Sequence, residues 1–296
     1  MRSIDRFISE CTLGGMRVWI SGGTGFLGRH LVRHYISQGC EVVSFSRDEG
    51  KHEAQRREIS SPLLKSYVGD VRDADTVERS MAGAVAVIHA AAQKHVPWSE
   101  EFPEECYRTN VQGTINVERA TERLGITQKL QISSDKATKP INTYGASKFM
   151  AEQVWRGPVV RLGNLFGSTG SVVYWLLSQR GLPTVKITST LMRRYSLMAD
   201  EATRFCSASL HASPGVFSPA MKWYWLKDLC EAVCPGQEIV ETGVRKGEKL
   251  VEEVEGQRYD EEDRLSIDEL RRAAECLGST EMAVMLRLSG TSSPAS

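Results

Sequence analysis

The residues Arg17-Val18-Trp19-Ile20-Ser21 run directly into Gly22-Gly23-Thr24-Gly25-Phe26-Leu27-Gly28, and nothing else in the chain limits its fold so strongly. The short apolar run predicts a buried strand, and the amphipathic stretch Gly28–Gln38 predicts a helix behind it. Glycines 22, 25 and 28 stand between them at GxxGxxG spacing. Glycine there permits a tight turn, close approach of backbone to a pyrophosphate, and close packing of helix on strand. The helix N-terminus, with its unpaired N–H groups and positive dipole end, then faces the phosphates. The segment therefore predicts a dinucleotide site at Gly22, Thr24, Gly25, Phe26, Leu27 and Gly28. A glycine turn with purely structural duties is the alternative.

The rest of the first half repeats the pattern. Strands are expected at Glu41–Phe45, Ser66–Val68, Ala84–His89, Lys129–Ser133 and Val159–Leu162, with helices at Ala74–Met81, Val111–Leu124 and Gly145–Trp155. Alternation of this kind predicts an α/β, Rossmann-like doubly wound parallel sheet. Beyond Gly163 the alternation loosens, which predicts a smaller C-terminal substrate-binding lobe. The expected boundaries are 16–165 for the NAD(P)-binding domain, with a returning segment near 196–233. The lobe takes 166–195 and 234–290, and 291–296 forms a disordered tail.

Composition narrows the partners. The 37 basic and 37 acidic residues cancel, so no overall field recruits nucleic acid or an anionic membrane. No apolar run approaches the length of a membrane span, and Met1 to Gly15 lacks the apolar core of a signal peptide. The seven cysteines are scattered without a CxxC pair, and Cys230 and Cys234, four apart, read as core packing. No metal is expected. A cytoplasmic enzyme with reduced thiols is the reading.

The end of the second strand selects the cofactor. Ser46-Arg47 suits the 2′-phosphate of NADP, because a guanidinium can donate two parallel bonds to it. Asp48 follows at once and keeps NAD open. Asp70 and Val71 after the third strand, and Ala90, Ala91 and Ala92 after the fourth, lie where a ligand crevice forms, and small alanines let a cofactor rest on backbone.

The fifth strand ends in Ser133-Ser134-Asp135-Lys136, and Tyr144 and Lys148 follow. Tyr and Lys four apart share one helix face. A free phenol titrates near 10, too high for a base at neutral pH, and a neighbouring ammonium together with the positive nicotinamide ring stabilises the phenolate and lowers that value. Lys148 would also hold the nicotinamide ribose, and Ser134 would share the proton of the substrate hydroxyl. This combination points to alcohol oxidation by hydride transfer. Asp135 and Lys136 could supply the acid and base for eliminating water next to a new ketone, or could be a plain loop ion pair.

These residues identify a resemblance. The stretches SGGTGFLG, FSRDE, GDVRD, HAAAQKHVP, TNVQGT, SSDKATKPINTYGASK, RLGNLFGSTGSV and TGVRKGEKL, between Val18 and about Glu253, resemble the extended short-chain dehydrogenases/reductases. Within them the chain is similar to the short, soluble UDP-N-acetylglucosamine 4,6-dehydratases of the C5-inverting type. The resemblance implies tightly bound NADP and a UDP-sugar substrate in a polysaccharide pathway. It also implies C4 oxidation, loss of water across C5–C6 and hydride return to C6. Tyr144 and Lys148 would be the oxidation pair, Asp135 the acid for the departing hydroxyl, and Lys136 the base at C5. Lys94, Asn164, Arg194, Arg245 and Glu248 would contact the nucleotide sugar. A homo-oligomer of two or more copies is expected. Ser134 stands where the family has Thr, and Met192-Arg193-Arg194-Tyr195 where it has Met-Thr-Arg-Phe. A nucleotide-sugar 4-epimerase and a non-catalytic dinucleotide-binding regulator are the rivals.

Overall fold

Val18, Trp19, Ile20 and Ser21 are wholly buried, which only the middle of a parallel sheet covered on both faces provides. The computed structural model describes residues 13–288 apart from 245, 246 and 255. Its first strand, β1 (Arg17–Ser21), leads through the glycine turn into α1 (Phe26–Ser37). There follow β2 (Glu41–Ser46), α2 (Glu49–Ile59), β3 (Leu64–Val68), α3 (Ala74–Met81) and β4 (Ala86–His89). Two short helices, α4 (Val96–Glu101) and α5 (Pro103–Tyr107), precede a π-helical turn at Arg108–Gln112 that opens α6 (Gly113–Arg123). Next come β5 (Gln128–Ser134), α7 (Thr143–Val154) and β6 (Pro158–Leu162). The remainder holds β7 (Asn164–Leu165), α8 (Val172–Leu177), β8 (Thr184–Ile187), β9 (Arg193–Leu197), α9 (Ala199–Ser209) and β10 (Gly215–Phe217). β11 (Lys222–Trp225), α10 (Leu226–Val233), β12 (Glu238–Glu241) and α11 (Ile267–Leu288) complete the described chain.

The seven-stranded sheet has the order β10-β6-β5-β4-β1-β2-β3, and all its pairings are parallel. The fold is Rossmann-like, with order reversing between β1 and β4, where ligands settle outside the carboxyl ends of such strands. Its unit comprises residues up to Leu162, Ala199–Pro219 and Glu253–Gly256. The returning segment is thus shorter than the 196–233 read from sequence, and 220–233 belongs to the other unit. There, β7-β9-β11 and β8-β12 form two small sheets over a core that includes Phe166, Leu176, Leu229, Cys230, Cys234 and Leu270. The 291–296 tail falls outside the described residues.

β1 and α3 have the bounds the sequence predicts, and β3 starts two residues earlier, at Leu64. The expected helix 111–124 begins inside the π-helical turn, which includes Val111 and Gln112, and continues as α6. Sequence periodicity misses α2 for a physical reason: the residues it buries are His52 and Gln55, so it has no apolar stripe. It forms because Asp48 caps it, accepting from the Lys51 N–H at 2.9 Å, and because its residues are good helix formers. Gln55 then braces the glycine turn, donating to the Gly23 carbonyl at 2.8 Å while accepting from Ser44 Oγ at 2.8 Å. Among the described residues, no helix is long and apolar enough to cross a membrane.

Candidate active site

Gly22 has φ +66°, and a Cβ on it would come within 2.9 Å of the Ala91 nitrogen. A Cβ on Gly28 would stand 2.0 Å from the Gly22 carbonyl oxygen, so helix and turn touch backbone to backbone. Ser21 Oγ ties the turn to the β4 end, accepting from the N–H groups of Ala90 and Ala91 at 3.1 Å each. Gly25 caps α1 without a side-chain bond, and the first turn of α1 carries no acidic residue. An uncapped, acid-free helix start behind a glycine cradle fits a pyrophosphate. Leu27 is buried behind the cradle, whereas Phe26 is partly exposed.

At the β2 end, Thr24 and Ser46 share a hydrogen bond of 2.8 Å, and Ser46 Oγ also meets His52 Nε2 at 2.9 Å. Arg47 extends into solvent, with Nη1 3.7 Å from Asp70 Oδ2. The capping bond with Lys51 holds the Asp48 carboxyl below the usual range and turns it toward its own helix. Val71 belongs to the apolar core and packs on Gly113, while its carbonyl accepts from Asn116 Nδ2 at 2.9 Å.

Of the five predicted catalytic residues, Ser134, Asp135, Lys136 and Tyr144 meet at one turn, and Lys148 lies one helical turn beyond Tyr144 on α7. β5 ends at Ser134, whose side chain caps the 3₁₀ turn Asp135–Ala137 and donates to Asp135 Oδ1 at 2.8 Å. Lys136 Nζ lies 3.3 Å from the same carboxylate oxygen. Helix α7 presses against this turn, and a Cβ at Gly145 would lie 2.3 Å from the Lys136 carbonyl. Glycine there lets Tyr144 come within hydrogen-bonding reach of Ser134. Burial raises the Tyr144 phenol, opposed by that hydrogen bond and by the Lys136 charge. Burial also brings the Lys148 ammonium down to about 8, and Lys148 donates to the Ile132 carbonyl at 2.7 Å.

Sequence reading gave no role to a buried network behind these groups. His89 Nδ1 meets Ser21 Oγ at 2.7 Å and its Nε2 meets Thr114 Oγ1 at 3.0 Å. Thr114 donates to the Asn110 carbonyl at 2.6 Å, inside the π-helical turn. Asn110 donates to Ser147 Oγ at 2.9 Å, and Ser147 donates to the Tyr144 carbonyl at 2.7 Å. Asn110 also pairs with both backbone groups of Gln93, beside Lys94. The TNVQGT stretch carries Asn110 and Thr114, and its spacing alone announces no chemistry. Lys94 is an exposed residue, yet desolvation and the Lys136 charge both lower its ammonium.

In the other unit, Asn164 and Arg194 meet at a residue the sequence reading missed, the buried Glu252. Asn164 donates to Glu252 Oε2 at 2.8 Å, and Arg194 Nε lies 3.5 Å from Oε1. Arg194 also donates to the Leu250 carbonyl at 3.1 Å. Glu248 is half-buried, and Arg245 lies outside the described residues.

A family model described as "Polysaccharide biosynthesis protein" matches residues 18–273. The chain is 32% identical to a UDP-N-acetylglucosamine 4,6-dehydratase (inverting) of Campylobacter jejuni, over 79% of this chain and 76% of that one. It is 35% identical to a UDP-glucose 4-epimerase of Rickettsia conorii, over 79% and 75%. Among solved structures, Pen from Bacillus thuringiensis is similar at a TM-score of 0.77 and 28% identity, covering 81% of each chain. DesIV, a dTDP-glucose 4,6-dehydratase from Streptomyces venezuelae, shares the fold at a TM-score of 0.76 and 20% identity, covering 90% and 98%.

Proposed function

The chain belongs to the polysaccharide biosynthesis protein family, and from that membership and the site geometry we propose that it is an NADP-dependent UDP-N-acetylhexosamine 4,6-dehydratase. UDP-N-acetylglucosamine is the proposed substrate and a 4-keto-6-deoxy sugar nucleotide the product. The observation that carries the reading is the Asp135–Lys136 pair, held in the turn that Ser134 caps and that Tyr144 abuts. Oxidation alone needs no second acid–base pair. Elimination needs one group for the C5 proton and one for the leaving O6.

In this mechanism Tyr144 takes the proton from O4 of the sugar, with Ser134 sharing it. The Ser134 hydrogen bond and the Lys136 charge oppose the rise that burial imposes on the Tyr144 phenol, and Lys148, charged below about pH 8, holds the nicotinamide ribose. The dinucleotide, when bound, would accept the hydride from C4 and return it to C6 after water has left, with a proton restored to C5. The C5 proton, now next to a ketone, passes to Lys136, while Asp135 protonates O6 as water leaves. Asp135 is buried, and Ser134 and Lys136 both donate to its Oδ1. Lys94, Asn164, Arg194, Arg245 and Glu248 are proposed to hold the nucleotide sugar, and the preference for NADP rests on Arg47.

A 4-epimerase is the second reading, favoured by the 35% identity to proteins named UDP-glucose 4-epimerase. Incubating the protein with UDP-N-acetylglucosamine and weighing the product separates the two. Loss of one water is expected, and an unchanged mass would favour the epimerase.

A further inference from the structure

Two acidic side chains, on Asp48 and Asp70, stand beside Arg47 at the proposed 2′-phosphate pocket, and each would repel a phosphate. Asp48 is committed to capping α2. Asp70 is committed too, but by a residue without an assigned role. Arg72 donates to Asp70 Oδ2 from Nε at 2.9 Å and from Nη2 at 2.7 Å, and its backbone N–H donates to Oδ1 at 2.9 Å. Its remaining arm, Nη1, donates to Glu105 Oε2 at 2.6 Å, on α5. Arg47 reaches the same Asp70 Oδ2 only at 3.7 Å. Desolvation works against the charge on Asp70, yet the bonds from Arg72 outweigh it and keep the carboxyl ionised.

We propose that Arg72, oriented by Glu105, is a specificity-determining positioning residue: by clamping Asp70 it leaves Arg47 available to a 2′-phosphate. Without the clamp, the Asp70 charge would stand uncompensated beside the pocket and tighten the loose 3.7 Å ion pair it makes with Arg47. The dinucleotide selectivity would then belong to four residues in a chain, Glu105–Arg72–Asp70–Arg47, with alternating charge. The inference rests on reading Arg47 as the 2′-phosphate residue.

The test uses the full chain and reads binding rather than turnover. NADP and NAD are titrated separately, and the ratio of their dissociation constants is taken within each variant, so that a general loss of binding cancels. Arg72→Gln should move the ratio toward NAD by about three- to tenfold, as expected for a partly exposed charge. Adding Asp70→Asn to Arg72→Gln should restore the ratio, because the uncovered charge is gone. Glu105→Gln should give a smaller shift in the same direction. An unchanged ratio in Arg72→Gln overturns the inference. So does a shift that Asp70→Asn fails to restore, since Arg72 would then touch the phosphate itself. If instead Arg47→Ala leaves the ratio as it was, the reading of Arg47 fails, and the inference with it. A fall in Arg47→Ala beside no change in Arg72→Gln sinks the inference alone.

Discussion

The two ends of the crevice along the carboxyl edge of the sheet handle charge in opposite ways. At the β5–α7 end, Ser134, Asp135, Tyr144 and Lys148 are all buried, and their neighbours are fixed by short bonds and by a glycine with no room for a Cβ. At the β2–β3 end, 59% of the Arg47 side chain is in solvent, and Asp70 is held by a chain of ion pairs that reaches the surface at Glu105. Burial moves the titration of Tyr144 and Lys148 strongly, whereas water screens the Arg47 end. Proton chemistry is thereby proposed for the end where a small displacement costs most, and cofactor choice for the end where charges balance at long range. Changes at the first end should act on rate in large steps, and changes at the second on affinity in small ones.

The largest effect expected is that of Tyr144→Phe, which keeps the ring packing but removes the proton acceptor. Cofactor reduction in a single turnover with UDP-N-acetylglucosamine should stop, while both ligands still bind. Reduction at the normal rate would remove Tyr144 from its role. Asp135→Asn comes next: oxidation should persist, and loss of water should slow by about a hundred- to ten-thousand-fold. Equal loss of both steps would make the pair structural.

Between the two ends lies His89, which burial, helped by the Lys148 charge, pushes down to about 3. Below its free value of about 6.5 the unfolded chain takes up a proton that the folded chain refuses. Stability should therefore fall as pH drops from about 6.5 toward 3, by up to about 1.4 kcal/mol per unit from this group, and should not depend on it above 6.5. Denaturant melts across that range should show a shallower slope in His89→Gln, and an identical slope would place the acid sensitivity elsewhere. The smallest effect is that of Arg47→Ala, which should narrow a preference for NADP over NAD by about tenfold or less, given its exposure. Equal affinities before mutation would end the argument for NADP.

The same contrast explains what was legible in the sequence. Groups whose chemistry needs fixed spacing along one element could be read directly: the glycine turn, the SSDK strand end and the Tyr144–Lys148 helix face. Groups that meet only through the fold could not. His89, Asn110 and Ser147 come from three separate segments, and their connection depends on a π-helical turn that periodicity does not announce. Glu252 finds Asn164 and Arg194 across long sequence gaps. Helix α2 was missed because it buries His52 and Gln55 where an apolar stripe was sought, yet those two residues brace the turn that was read first.

The proposal that Asp135 and Lys136 perform an elimination can be tested directly by running the reaction in deuterated water. With UDP-N-acetylglucosamine, the account predicts a product lighter by one water that carries deuterium at C5, because that proton leaves to a base and is replaced from solvent. A product of unchanged mass with no deuterium on carbon would contradict it and leave the epimerase reading in its place.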